Sequence, residues 1–225
     1  MPHNVEVPDY VIERIMAKRG KLHVFDKFDP TKTALVVIDM QNFFVAEVET
    51  AISICPNINL LADAVRDKGG VVAWVQLTVA DEIDGPSLWP IYHDYFFTPE
   101  KMEAHKNGLA KGSEGHALFP DLIVNKKDII TLKSRFSTFI QGSSDLHDRL
   151  QEKGIENLLI AGTATNFCCE TSARDAMMIG YRAVMVSDAN AARYDEDHLA
   201  GLTSIWQSFG DVRTVDDCIT TLLAE

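Results

Sequence analysis

Cysteine is scarce: the four thiols, Cys55, Cys168, Cys169 and Cys218, include no CxxC pair and no zinc-module spacing. Neither a disulfide framework nor a structural metal is therefore expected, and isolated thiols of this kind point to a reducing, cytoplasmic setting. Long apolar runs are missing too. Nothing approaches the ~18 consecutive apolar residues of a membrane span, and the charged opening segment MPHNVEVPDYVIERIMAKRG has no apolar core of signal-peptide length. Positive charge is short: Lys and Arg number 21 against 33 Asp and Glu, for a net charge of −12. That balance argues against capture of nucleic acid or of an anionic membrane and leaves a small-molecule partner. There is no internal repeat and no low-complexity tract.

What is present is an ordinary globular composition, 46% hydrophobic and 24% charged over 225 residues, enough for one sizeable core. Residues 1–30 read as an N-terminal extension with a helix over 8–19 stopped at Gly20, and residues 31–225 as the domain. Thr33-Ala-Leu-Val-Val-Ile-Asp39 is a short, β-branched apolar run ending in an acid, the pattern of a strand buried on both faces of a parallel sheet. Further strands are expected at 71–77, 128–133, 157–162, 182–187 and 211–214. Helices at 57–68, 146–153, 168–178, 196–209 and 215–223 alternate with them. Strict alternation predicts an α/β fold, a Rossmann-like three-layer αβα arrangement with a central, mostly parallel six-stranded sheet. Residues 78–125 read as a long irregular segment rich in proline and aromatics, of the kind that forms lids and binding loops.

Asp39, Lys133 and Cys168 come from three separate strand ends, which right-handed crossovers would gather at one edge of the sheet. Each has a plain structural alternative: a turn cap for Asp39, a snorkelling side chain for Lys133, a small buried hydrophobe for Cys168. Their joint placement is what points to chemistry. Cys168 follows a strand and the turn Gly162-Thr-Ala-Thr-Asn-Phe and is expected to open a helix, where the positive helix end would lower its thiol pKa. Cys169 should leave that helix about 100° away and pack as core.

Three segments carry a resemblance. They are Ala34-Leu-Val-Val-Ile-Asp39-Met-Gln41-Asn42, Leu132-Lys133-Ser-Arg135-Phe-Ser137, and Gly162-Thr-Ala164-Thr165-Asn166-Phe-Cys168-Cys-Glu-Thr171-Ser-Ala-Arg174-Asp175-Ala176. In this order they resemble the isochorismatase-like cysteine hydrolases, a family that includes nicotinamidases, N-carbamoylsarcosine amidohydrolase, and ureidoacrylate and biuret hydrolases. The similarity covers about residues 31–222.

The resemblance implies Cys168 as nucleophile, Asp39 as the acid/base that takes and returns its proton, and Lys133 as the cation that stabilises the thiolate. It also implies a non-proline cis peptide between Thr163 and Ala164, with the N–H groups of Ala164 and Cys168 forming an oxyanion hole. The expected reaction is cleavage of an amide, ureido or N-carbamoyl C–N bond through a thioester, without a cofactor. The metal-binding Asp-x-His pattern of the nicotinamidases is missing, since no His lies between His23 and His93, so no metal is expected. The segment from Lys133 to Ser137 looks most like the ureidoacrylate and biuret hydrolases. Asn42, Phe44, Arg135 and Gln207 are candidate substrate-binding residues, and a homodimer or homotetramer is expected by the same resemblance. Competing functions are isochorismatase-type vinyl ether hydrolysis, which needs the aspartate but no thiol, a non-catalytic binding homologue, and a thiol redox role for Cys168 and Cys169.

Overall fold

The computed structural model describes residues 3–224. Six strands form one sheet: β1 (Thr33–Ile38), β2 (Val71–Leu77), β3 (Ile129–Lys133), β4 (Asn157–Thr163), β5 (Arg182–Ala191) and β6 (Asp211–Arg213), in the order β3-β2-β1-β4-β5-β6. Every pairing is parallel. Parallel strands need crossover connections, and helices supply them on both faces. The helices are α1 (Asp9–Arg19), α2 (Asn42–Val45), α3 (Glu49–Ser53), α4 (Cys55–Asp67), α5 (Pro90–Phe96), α6 (Pro99–Gly108), α7 (Leu146–Glu152), α8 (Glu170–Met178), α9 (Asp195–Ser208) and α10 (Val215–Asp217).

Burial follows from the pleat. Alternate residues of β1 point to opposite faces: Leu35 and Val37 join the core under α4, while Ala34, Val36 and Ile38 join the core shared by α7, α8 and α9. Helix α4 presents Cys55, Ile58, Leu61, Ala62 and Val65 inward, a helical-period stripe, and Pro56 sits in its first turn, where a missing N–H costs nothing. Helix α1 belongs to the same body as the domain. Val11 and Ile15 are buried in the α8/α9 core, and Lys18 Nζ donates to the Gln207 carbonyl at 3.2 Å.

The irregular segment expected over 78–125 contains two helices, α5 and α6. Its prolines, which read as breakers, sit at helix starts: Pro90 opens α5 and Pro99 opens α6, where Thr98 caps by accepting the Lys101 N–H. The strand expected over 182–187 continues to Ala191 past an irregularity, where the register moves from Ile160↔Met185 to Gly162↔Asn190. The Asn190 side chain bridges the break, donating from Nδ2 to the carbonyls of Ile160 at 2.7 Å and Val186 at 2.8 Å. Cys168 does not open a regular helix; it lies in a π-helical turn, Thr165–Cys169, that feeds α8.

Candidate active site

Strand order reverses between β1 and β4, since β1, β2 and β3 run outward one way and β4, β5 and β6 the other. Open α/β sheets form their crevices at such a point, beyond the carboxyl ends of the strands. Asp39 and Cys168 lie on either side of it. Asp39 directly follows β1 with φ 55°, and its N–H donates to Val75 O at 2.9 Å. Next to it Gln41 braces the strand ends, its amide bonded to both the N–H and the carbonyl of Leu77. Lys133 ends β3, which lies across β2 from β1, and its side chain is fully buried. Cys168 hangs from the turn after β4, which contains a cis peptide at Thr163–Ala164.

The three side chains meet. Lys133 Nζ is 2.8 Å from Asp39 Oδ2 and 3.3 Å from Cys168 Sγ, and donates to the carbonyls of Arg135 at 2.9 Å and Phe136 at 3.0 Å. Burial alone would discharge this ammonium, but the Asp39 carboxylate and the thiol outweigh it and hold the Lys133 pKa above its ordinary value. Asp39 is also raised, by burial first, with Lys133 pulling the other way.

Cys168 departs from the sequence expectation. Burial and the facing Asp39 charge push its thiol well up rather than down, and the Lys133 charge only partly offsets them. The reason is charge balance: Lys133 already compensates one anion in a dry site, and a thiolate beside ionised Asp39 would be a second. Charge balance in the dry site thus favours one anion beside the Lys133 ammonium over two. Cys169 turns the other way into the core, fully buried, with Sγ directed at the Ala161 carbonyl.

A cavity of about 250 Å³ opens onto Cys168 and Asp39. Ala164 and Phe44 line it, as do Tyr92 and His105 of the lid helices, Phe136 and Phe167. Arg193, in the connection between β5 and α9, also lines it; its exposed guanidinium makes no hydrogen bond or ion pair among the described residues. The other sequence candidates lie elsewhere. Asn42 donates from Nδ2 to the Glu114 carbonyl, Arg135 bonds the carbonyls of Leu88 and Ser134 and lies over the Trp89 ring, and Gln207 bonds Thr203 within α9. None of the three lines this cavity. Arg193 and His105 escaped sequence reasoning because neither sits in a motif; only the extension of β5 and the helical lid bring them to the thiol. Among the described residues, no group of three His, Cys, Asp or Glu side chains is placed to hold a metal ion, and no helix is long and apolar enough to cross a membrane.

Sheet topology and site together define a doubly wound α/β domain with a buried Asp-Lys-Cys cluster at its switch point. The Isochorismatase domain profile matches residues 33–217, and the chain belongs to that family. It is 29% identical over 190 residues to the isochorismatase family protein YwoC of Bacillus subtilis (strain 168), covering 84% of this chain and 93% of that one. Among solved structures it resembles a cysteine hydrolase from Pseudomonas syringae pv. phaseolicola 1448A, with TM-score 0.73, 26% identity, and 87% and 95% of the two chains covered. It shares its fold with an N-carbamoylsarcosine amidase from Thermoplasma acidophilum, with TM-score 0.64, 23% identity, and 82% and 97% covered.

Proposed function

We propose that the chain is a cysteine amidohydrolase that cleaves the C–N bond of a small ureido, N-carbamoyl or carboxamide compound bearing a carboxylate. The observation that carries this reading is the placement of Lys133 Nζ 2.8 Å from Asp39 and 3.3 Å from Cys168, the two groups onto which the cavity of about 250 Å³ opens. Because Asp39 is raised and the thiol faces it, proton transfer from Cys168 to Asp39 turns one neutral-plus-anion arrangement into another of equal net charge. Lys133 compensates either one. The thiolate then attacks the carbonyl carbon, and the developing oxyanion is met by the N–H groups of Ala164 and Cys168. Protonated Asp39 gives its proton to the leaving nitrogen, ammonia or amine departs, and a thioester remains on Cys168. Water, deprotonated by Asp39, hydrolyses the thioester and the proton returns to sulfur. The unpaired Arg193 guanidinium at the cavity is suited to a carboxylate, which it can hold bidentately.

The raised Asp39 carboxyl also favours a second reading, protonation of a vinyl ether without covalent catalysis. A panel of N-carbamoyl amino acids, matched alkylureas without the carboxylate, and simple carboxamides separates the two. Ammonia release from the carboxylate-bearing compounds that disappears in Cys168→Ala supports the amidohydrolase. Vinyl ether turnover retained in Cys168→Ala sinks it.

A further inference from the structure

His105 reaches the cavity from α6, and its orientation is set by a chain of hydrogen bonds within the lid. The Trp89 N–H donates to Ser87 Oγ at 2.9 Å, Ser87 Oγ is 2.5 Å from His93 Nδ1, and His93 Nε2 is 2.9 Å from His105 Nδ1. Both rings are buried, His93 at 2% exposure and His105 at 9%. Burial favours the neutral form of both rings. Burial lowers both pKa values, with His105 down to about 4, so each ring carries one N–H.

One direction of the chain satisfies every protein donor and acceptor in it. In that direction the Ser87 hydroxyl gives its proton to His93 Nδ1, its one protein acceptor among the described residues. His93 is then protonated on Nε2, and that N–H is the donor to His105 Nδ1. His105 is left protonated on Nε2, the nitrogen that has no protein partner on a ring lining the cavity.

We infer that His105 is a specificity-determining residue whose Nε2–H, locked in one tautomer by Ser87 and His93, donates a hydrogen bond to an acceptor atom of the substrate. The inference rests on the amidohydrolase reading for its chemistry, since the substrate is the molecule whose carbonyl carbon meets Cys168. Three elements would then address three parts of one ligand: the scissile carbonyl at Cys168, an anion at Arg193, and a carbonyl, carboxylate or unprotonated nitrogen at His105. An ammonium at the third position is rejected, because a fixed N–H faces it with no lone pair to offer. An alkyl group there leaves the donor buried and unsatisfied, the situation in which polar sites discriminate most strongly. His93 and Ser87 act through His105 as positioning residues.

The donor itself is read without substrate. In full-length protein labelled with ¹⁵N-histidine, two-bond ¹H–¹⁵N spectra should show His105 with Nε2 protonated and Nδ1 bare, the assignment coming from the signals lost in His105→Gln. His93→Phe should release the lock and leave a mixture of tautomers. Wild-type His105 protonated on Nδ1 overturns the inference whatever the activity.

Kinetics on N-carbamoyl amino acids with side chains ending in a carbonyl, an alkyl or an ammonium group give the second arm. His105→Phe should cut kcat/KM for the carbonyl-bearing compounds about 10- to 100-fold and flatten the preference over alkyl ones. His105→Gln, which keeps an N–H near the Nε2 position, should retain most of it. An undiminished preference in His105→Phe, with turnover still abolished in Cys168→Ala, overturns the specificity role alone. Absence of turnover of every compound by wild type, with the Nε2–H tautomer present, counts against the amidohydrolase reading and leaves the donor standing.

Discussion

At the scale of single residues, the chemistry depends on which of two raised acids holds a proton. Asp39 must be ionised to accept the Cys168 proton, and its folded pKa lies above the ordinary carboxylate value because it is buried. Activity should therefore fall on acidification at a pH above the usual carboxylate range of about 4. The apparent value belongs to the coupled Asp39–Cys168 pair rather than to either group. Lys133→Met removes the compensating charge, and the acid limb of kcat/KM should move further upward with a loss of stability of roughly 3–5 kcal/mol. A pH profile and a urea melt of the same variant check both statements. An unmoved acid limb would show that Lys133 does not govern the Asp39 proton.

At the scale of elements, Gly162 of β4 pairs with Ile38 of β1. A Cβ at Gly162, whose φ is 117°, would stand 2.1 Å from the Ile38 carbonyl oxygen, one residue from Asp39. Gly162→Ala is expected to cost about 2–4 kcal/mol from clash and backbone strain and to displace Asp39 from Lys133. Chemical denaturation and activity measured together test this, and a variant with wild-type stability contradicts it.

The same strands explain what was legible in the sequence. β1, β2, β3 and β4 are mostly apolar runs, and the charged residues Asp39 after β1 and Lys133 at the end of β3 stand out against them. The end of β5 was not legible, because Ser187, Asp188 and Asn190 look like a polar loop. Their strand conformation depends on Asn190 bridging two carbonyls and on Asp188 accepting the Val215 N–H. The lid helices were hidden for a similar reason. Pro90 and Pro99 carry no sign distinguishing a helix start from a break, and the aromatic rings there satisfy one another: Tyr92 packs on Trp89, Phe96 and Phe97.

At the scale of the whole molecule, buried neutral histidines link stability to pH. His198 is held by Thr165 Oγ1 at 2.8 Å, beneath the stacked ring of His3, and burial lowers its pKa to about 3; His105 is lowered to about 4. Both folded values lie below the unfolded value near 6.5. The unfolded chain thus takes up these protons first, and the stability the neutral rings contribute is fully present above about pH 6.5. It is lost as pH falls through the window down to about 4 for His105 and 3 for His198. The loss is at most about 1.4 kcal/mol per group per pH unit. Melting temperature should decline across this window, and less steeply in His198→Gln; parallel declines would assign the acid lability to other groups.

Central to the whole account is a covalent bond to Cys168, and the most direct test is mass spectrometry of wild-type protein quenched during turnover of whichever compound releases ammonia fastest. The account predicts a peptide spanning Cys168 that carries the acyl mass and loses it on treatment with hydroxylamine. Product formation with no adduct at Cys168, and with turnover intact in Cys168→Ala, would contradict it.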